Sequence, residues 1–118
     1  LANDAQLSLR QGKLVALPIE QTKQTAADGM RATQLGDITY RYIREYVDDI
    51  ITVNEHEIRA AVRTLALDSR LVAEPCGAVP VAALLNRRDE LPAAKKIVVV
   101  ISGGNIDPQL LADILQGA

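Results

Sequence analysis

The run Ile97-Val98-Val99-Val100-Ile101 constrains this chain more than any other stretch. Five consecutive β-branched apolar residues cannot divide into a polar and an apolar face, so the run predicts a central strand covered on both sides, as in a parallel sheet. It passes directly into Ser102-Gly103-Gly104-Asn105. Asp107-Pro108 then predicts a helix start, because the carboxylate caps exposed N–H groups and a proline in the first position gives up only an N–H without an intrahelical partner. The order is strand, glycine turn, helix. In open α/β sheets ligands lie beyond the carboxyl ends of the strands, which puts Ser102, Gly103, Gly104 and Asn105 where a ligand would be met. Ser102 brings a hydroxyl that both donates and accepts, and the paired glycines let a flat ligand approach the backbone. The other reading is an ordinary strand-to-helix turn that uses glycine for its dihedrals.

With 118 residues, 48% hydrophobic and 24% charged, the chain has the composition of one globular domain. Three tyrosines and no Phe or Trp leave the core to Leu, Ile, Val and Ala, which suits stacked α/β layers. Net charge is −2, the pI is about 5.3, and the basic residues are scattered, so no nucleic-acid partner is expected. No membrane partner is expected either, since no apolar run approaches a bilayer span and residues 1–12 do not resemble a signal peptide. The single cysteine, Cys76, cannot form an intrachain disulfide, which fits a reducing, cytoplasmic setting. The chain opens at Leu1 and enters the capping pair Asn3-Asp4 at once, as though a first strand preceded it.

Asn3 or Asp4 is expected to cap a helix from Ala5 to Gln11 that Gly12 ends. Residues 13–24 are mixed and broken by Pro18, and Thr25-Ala26-Ala27-Asp28-Gly29-Met30 reads as a loop whose Asp28-Gly29 turn suits positive φ at Gly29. That loop is either a connector or the backbone wall of a pocket. From Leu35 to Val47 the spacing of Ile38, Tyr42, Ile43, Tyr46 and Val47 predicts an amphipathic helix, with Arg41, Arg44 and Glu45 on its other side. Residues 50–53 predict a short strand. Asn54 with Glu57 then forms a capping box for a helix whose buried face is Ile58, Ala61, Val62 and Leu65. His56, between Glu55 and Glu57, reads as a solvated surface residue.

Glu74 precedes Pro75-Cys76-Gly77-Ala78 and an almost wholly apolar helix, so its carboxylate needs a partner. It either complements the helix dipole or serves as a site carboxylate beside a ligand. Pro80 is tolerable if that helix begins near Cys76 or Gly77 and the proline falls in its first turn. Cys76 is read as a small packing residue or as a reactive thiol at a helix start. Residues 86–95, with Pro92, read as a surface connection to the central strand.

Four segments in one order, Thr25-Ala26-Ala27-Asp28-Gly29, Val47 through Glu55, Val72-Ala73-Glu74-Pro75-Cys76-Gly77-Ala78 and Ile101 through Asp107, resemble the threonine/serine dehydratase and serine racemase family of pyridoxal-phosphate enzymes. The resemblance extends over nearly the whole chain. It implies fold type II, similar to the tryptophan synthase β subunit: an α/β, three-layer parallel-sheet domain of which residues 1–118 would be the C-terminal portion of the larger, cofactor-binding catalytic domain. It also implies that Ser102 hydrogen-bonds the pyridine nitrogen of pyridoxal 5'-phosphate. Gly103 and Gly104 would make room for the ring, Gly29 would lie along its edge, and Glu74 would stand close by. A neutral hydroxyl does not enforce a protonated pyridinium, so the ring becomes a milder electron sink suited to loss of a β-hydroxyl. Where family members usually carry Ser, this chain has Cys76.

By the same resemblance, Asp4 and the Ala2 carbonyl would hold a divalent cation, Mg²⁺ or Ca²⁺, with a third protein ligand before Leu1; alternatively, Asp4 only caps its helix. The family's Schiff-base lysine lies in a Ser-x-Lys-x-Arg-Gly segment, and its phosphate sits in a glycine-rich loop. Neither occurs here, and Lys13, Lys23, Lys95 and Lys96 have no matching context. No catalytic residue is therefore expected within the segment, and the chain alone is expected to be inactive. The implied whole enzyme is an L-threonine/L-serine ammonia-lyase, with serine racemase or hydroxyectoine-utilisation dehydratase as alternatives and a non-catalytic α/β binding module as the rival of another class. The expected partners are a small amino-acid substrate, the remainder of the catalytic chain and, in the full enzyme, a second copy in a homo-oligomer.

Overall fold

The computed structural model describes residues 1–117, which fall into two units, Leu1–Thr52 and the part from Val53 onward. The first holds α1 (Asp4–Gln11), α2 (Ile19–Thr22) and α3 (Asp37–Tyr46). The second holds α4 (Glu55–Asp68), α5 (Pro75–Asn86) and α6 (Pro108–Gln116), and short 3₁₀ turns span Asp28–Met30 and Arg88–Glu90.

Polar groups hold much of the first unit together. Ser8 is fully buried, and its Oγ accepts the Val15 N–H at 2.9 Å while its carbonyl accepts the Tyr40 hydroxyl at 3.3 Å. The Thr22 hydroxyl donates to the Arg31 carbonyl at 2.9 Å, and the Arg31 guanidinium returns to the Thr25 carbonyl at 2.8 and 3.0 Å. Gly12 ends α1 in the left-handed region at φ 67°, as expected. The capping expectation needs correction: Asn3 occupies the cap without a side-chain bond, and Asp4 is the first helical residue. Gly29 is not at positive φ either, because residues 28–30 close as a 3₁₀ turn instead.

Helix α3 forms close to where its periodicity predicts but buries a different residue. Tyr40 is its buried side chain, whereas Ile38, Tyr42 and Tyr46 are exposed, with the two outer tyrosine rings stacked at 6.1 Å. Tyr40 lies inward because its hydroxyl finds the Ser8 carbonyl, and the Arg44 guanidinium lies 5.7 Å from its ring.

In the second unit, the sequence rules carry through for the helices. Asn54 Oδ1 accepts the Glu57 N–H at 2.9 Å and Glu57 Oε2 accepts the Asn54 N–H at 2.8 Å, the complete capping box. Ile58, Ala61, Val62 and Leu65 are buried, and the last three join Ala73, Ala78, Ala82 and Ile114 in one core. His56 is exposed. Helix α5 begins at Pro75, so Pro80 is its sixth residue and sits beyond the first turn, where a helix would use the N–H that proline lacks.

The expected strands are not formed. Among the described residues there is no β-strand, and the run predicted as buried on both faces is open, with Val98 89% and Val100 67% exposed. A strand is completed by a neighbour that satisfies its N–H and C=O groups, and neither residues 50–53 nor residues 97–101 find one among the described residues. The helix after the turn does form: Asp107 Oδ1 accepts the N–H groups of Gln109 and Leu110 at 2.8 and 3.0 Å, with Pro108 in first position.

Candidate functional site

Four of the expected site residues come together where the segment before α5 meets the segment before α6. The Glu74 N–H donates to the Gly103 carbonyl at 3.1 Å, and Glu74 Oε2 accepts the Asn105 N–H at 3.0 Å. The carboxylate that needed a partner is thus hydrogen-bonded to the backbone of the opposite segment. It makes no side-chain bond to the start of α5, although Glu74 is that helix's cap residue.

Close approach explains the glycines here. A Cβ at Gly77 would stand 2.5 Å from the Gly103 carbonyl oxygen, one at Gly103 would stand 2.5 Å from Glu74 Oε1, and one at Gly104 would stand 2.6 Å from the Val72 carbonyl oxygen. Real Cβ atoms do not approach that closely. The space left by the missing side chains at Gly103 and Gly104 is filled from within the chain. Gly77 was not among the residues singled out from the sequence; its spacing from Glu74 carries no sign of the contact, which joins positions far apart along the chain.

Ser102 stands at the outer end of this arrangement. It is exposed, and its hydroxyl makes no hydrogen bond with the described residues. A neutral, uncommitted hydroxyl on a backbone held from two sides fits one edge of a pyridine ring, where it could donate to the nitrogen. Gly29 lies in the first unit, exposed, with its N–H donating to Asp28 Oδ1 at 2.8 Å. Ala2 and Asp4 also lie in the first unit, where Asp4 is nearly buried at 7% exposure. Among the described residues no group of three or more His, Cys, Asp or Glu side chains could hold a metal ion. Cys76 is half-buried in the first turn of α5.

Residues 2–103, a span that takes in the Glu74 and Gly103 partners, match the family of pyridoxal-phosphate dependent enzymes. The chain belongs to that family. Among its relatives, the L-threonine ammonia-lyase of Thermotoga maritima is 42% identical over 108 residues, covering 92% of this chain and 26% of that protein. The L-threo-3-hydroxyaspartate ammonia-lyase of Saccharomyces cerevisiae is 37% identical over 115 residues, covering 98% of this chain and 34% of that protein. Among solved structures, maize serine racemase superposes with a TM-score of 0.83 at 34% identity, over 98% of this chain and 36% of that one. The chain therefore spans between a quarter and two fifths of the length of these pyridoxal-phosphate enzymes. Among the described residues, no helix is long and apolar enough to cross a membrane.

Proposed function

We propose that this chain is part of a pyridoxal-phosphate-dependent L-threonine/L-serine ammonia-lyase, converting a hydroxy amino acid to a 2-oxo acid and ammonia by β-elimination. The exposed, uncommitted hydroxyl of Ser102 on its doubly held turn carries the reading. When bound, the cofactor ring withdraws electrons from the amino acid's α-carbon so that the β-hydroxyl can leave. Ser102 holds the pyridine nitrogen by a neutral hydrogen bond, which keeps that withdrawal mild. Gly103 and Gly104 keep the backbone beside it free of side chains.

In this reading residues 1–118 form the C-terminal portion of the larger catalytic domain, a three-layer, parallel-sheet arrangement of fold type II. Residues 50–53 and 97–101 then become strands when neighbouring segments of the catalytic chain pair with them. The Schiff-base lysine comes from such a segment, because Lys13, Lys23, Lys95 and Lys96 lie in no suitable context. Serine racemase activity is the second reading, favoured by the maize enzyme's TM-score of 0.83. Both use the same residues here and differ in the fate of the substrate.

Ser102→Ala in the full-length enzyme tests the assignment. Turnover on L-threonine should fall by more than cofactor affinity does, whereas unchanged turnover would remove the pyridine contact. Following 2-oxo acid, ammonia and D-serine together separates lyase from racemase. Borohydride reduction with intact-mass analysis then shows which polypeptide carries the cofactor; an adduct on one of the four lysines named above would sink the assignment of that lysine to another segment.

A further inference from the structure

We propose that Glu74 is a positioning residue whose carboxylate aims Ser102 by clasping the Gly103–Asn105 backbone. This rests on the proposed pairing of Ser102 with the cofactor's pyridine nitrogen and adds the device that holds the hydroxyl in place.

The geometry is two-sided. From its main chain Glu74 donates its N–H to the Gly103 carbonyl at 3.1 Å, and from its side chain it accepts the Asn105 N–H at 3.0 Å. The bonded residues flank Gly104, whose Cα lies so close to the Val72 carbonyl that a Cβ there would stand 2.6 Å from that oxygen. On the other side, a Cβ at Gly77 would stand 2.5 Å from the Gly103 carbonyl oxygen, so the first turn of α5 closes against the same peptide. Residues 103–105 are therefore gripped at three successive positions by residues 72–77. Ser102 is next along the chain, and its freedom is what remains when Gly103 is fixed.

A carboxylate accepting a backbone N–H forms one of the stronger neutral-to-charged hydrogen bonds. One Glu74 oxygen is committed to Asn105, and the other lies against the Gly103 Cα. The role thus needs an acceptor oxygen at this position and no transfer of a proton. Glutamine keeps such an oxygen, and alanine removes it.

The test uses the full-length holoenzyme and its cofactor-free form. Glu74→Ala should speed exchange of the Asn105 amide hydrogen by about tenfold or more in both forms, the loss of one charge-assisted hydrogen bond. It should also lower kcat about tenfold through misplacement of Ser102, with altered fluorescence of the bound cofactor. Glu74→Gln should keep Asn105 exchange slow and recover most of the lost kcat. Asn105 exchange that does not respond to Glu74→Ala would overturn the clasp. So would Glu74→Gln as slow as Glu74→Ala but with Asn105 still protected, since the carboxylate would then act by its charge or its proton. If Glu74→Ala releases Asn105 while Ser102→Ala leaves kcat and cofactor fluorescence unchanged, the clasp stands as a hold on the turn, the pyridine contact fails, and the aiming role is overturned with it.

Discussion

A methyl group means different things at three glycines that lie within a few ångströms of one another. At Gly77 and Gly104 it would meet backbone oxygens, of Gly103 and Val72, at 2.5 and 2.6 Å, and backbone has little room to yield. At Gly103 it would meet the end of the Glu74 side chain, which can swing away. Gly77→Ala and Gly104→Ala should therefore each cost the full-length protein about 1–3 kcal/mol, read by denaturant unfolding. Gly103→Ala should cost less and should instead release the Asn105 amide. Equal losses at all three positions would mean that the Glu74 side chain is as rigid as the main chain. None of these contacts was legible beforehand. The need for a partner at Glu74 followed from its apolar neighbours, but the partner lies 31 residues away and is a backbone N–H, which no side-chain pattern announces.

Among the elements, α4 shows how far local rules reach. Its capping box and its buried stripe both follow from residues within a few positions of one another, and the structure contains both. Asn54→Ala should destabilise the protein by about 1 kcal/mol, measured as a shift in the chemical unfolding midpoint. The other end of α4 offers an opposite change. Arg70 adopts φ 57° there, and the Leu71 N–H donates to the Leu65 carbonyl at 2.9 Å, closing the helix with a residue less suited than glycine to that conformation. Arg70→Gly should raise stability by up to about 1 kcal/mol; a loss would show that the arginine side chain contributes more than its backbone strain costs. Helix α3 marks the limit of periodicity. Its spacing located the helix but not its inward face, because Tyr40 was drawn in by the Ser8 carbonyl from another helix.

For the whole molecule, the division between legible and illegible follows the range of the forces involved. Helices satisfy their own backbone, so residues close in sequence suffice to form them; strands borrow satisfaction from a neighbour, and the most sheet-like stretch, residues 97–101, has none among the described residues. Val98→Asp separates two situations. In the 118-residue chain, where Val98 is 89% exposed, it should reduce self-association in sedimentation experiments at little cost in stability. In the full-length protein, where we propose that this run is a covered strand, it should lower the melting temperature by several degrees. An unchanged melting temperature there would count against the sheet. The interlocked glycines carry a consequence for anyone reading a saturation-mutagenesis map of such an enzyme. Intolerance at Gly77 and Gly104 would look like the imprint of a ligand, yet a chain screened only for abundance, with no cofactor supplied, should show the same two blank columns, with Gly103 the more forgiving neighbour.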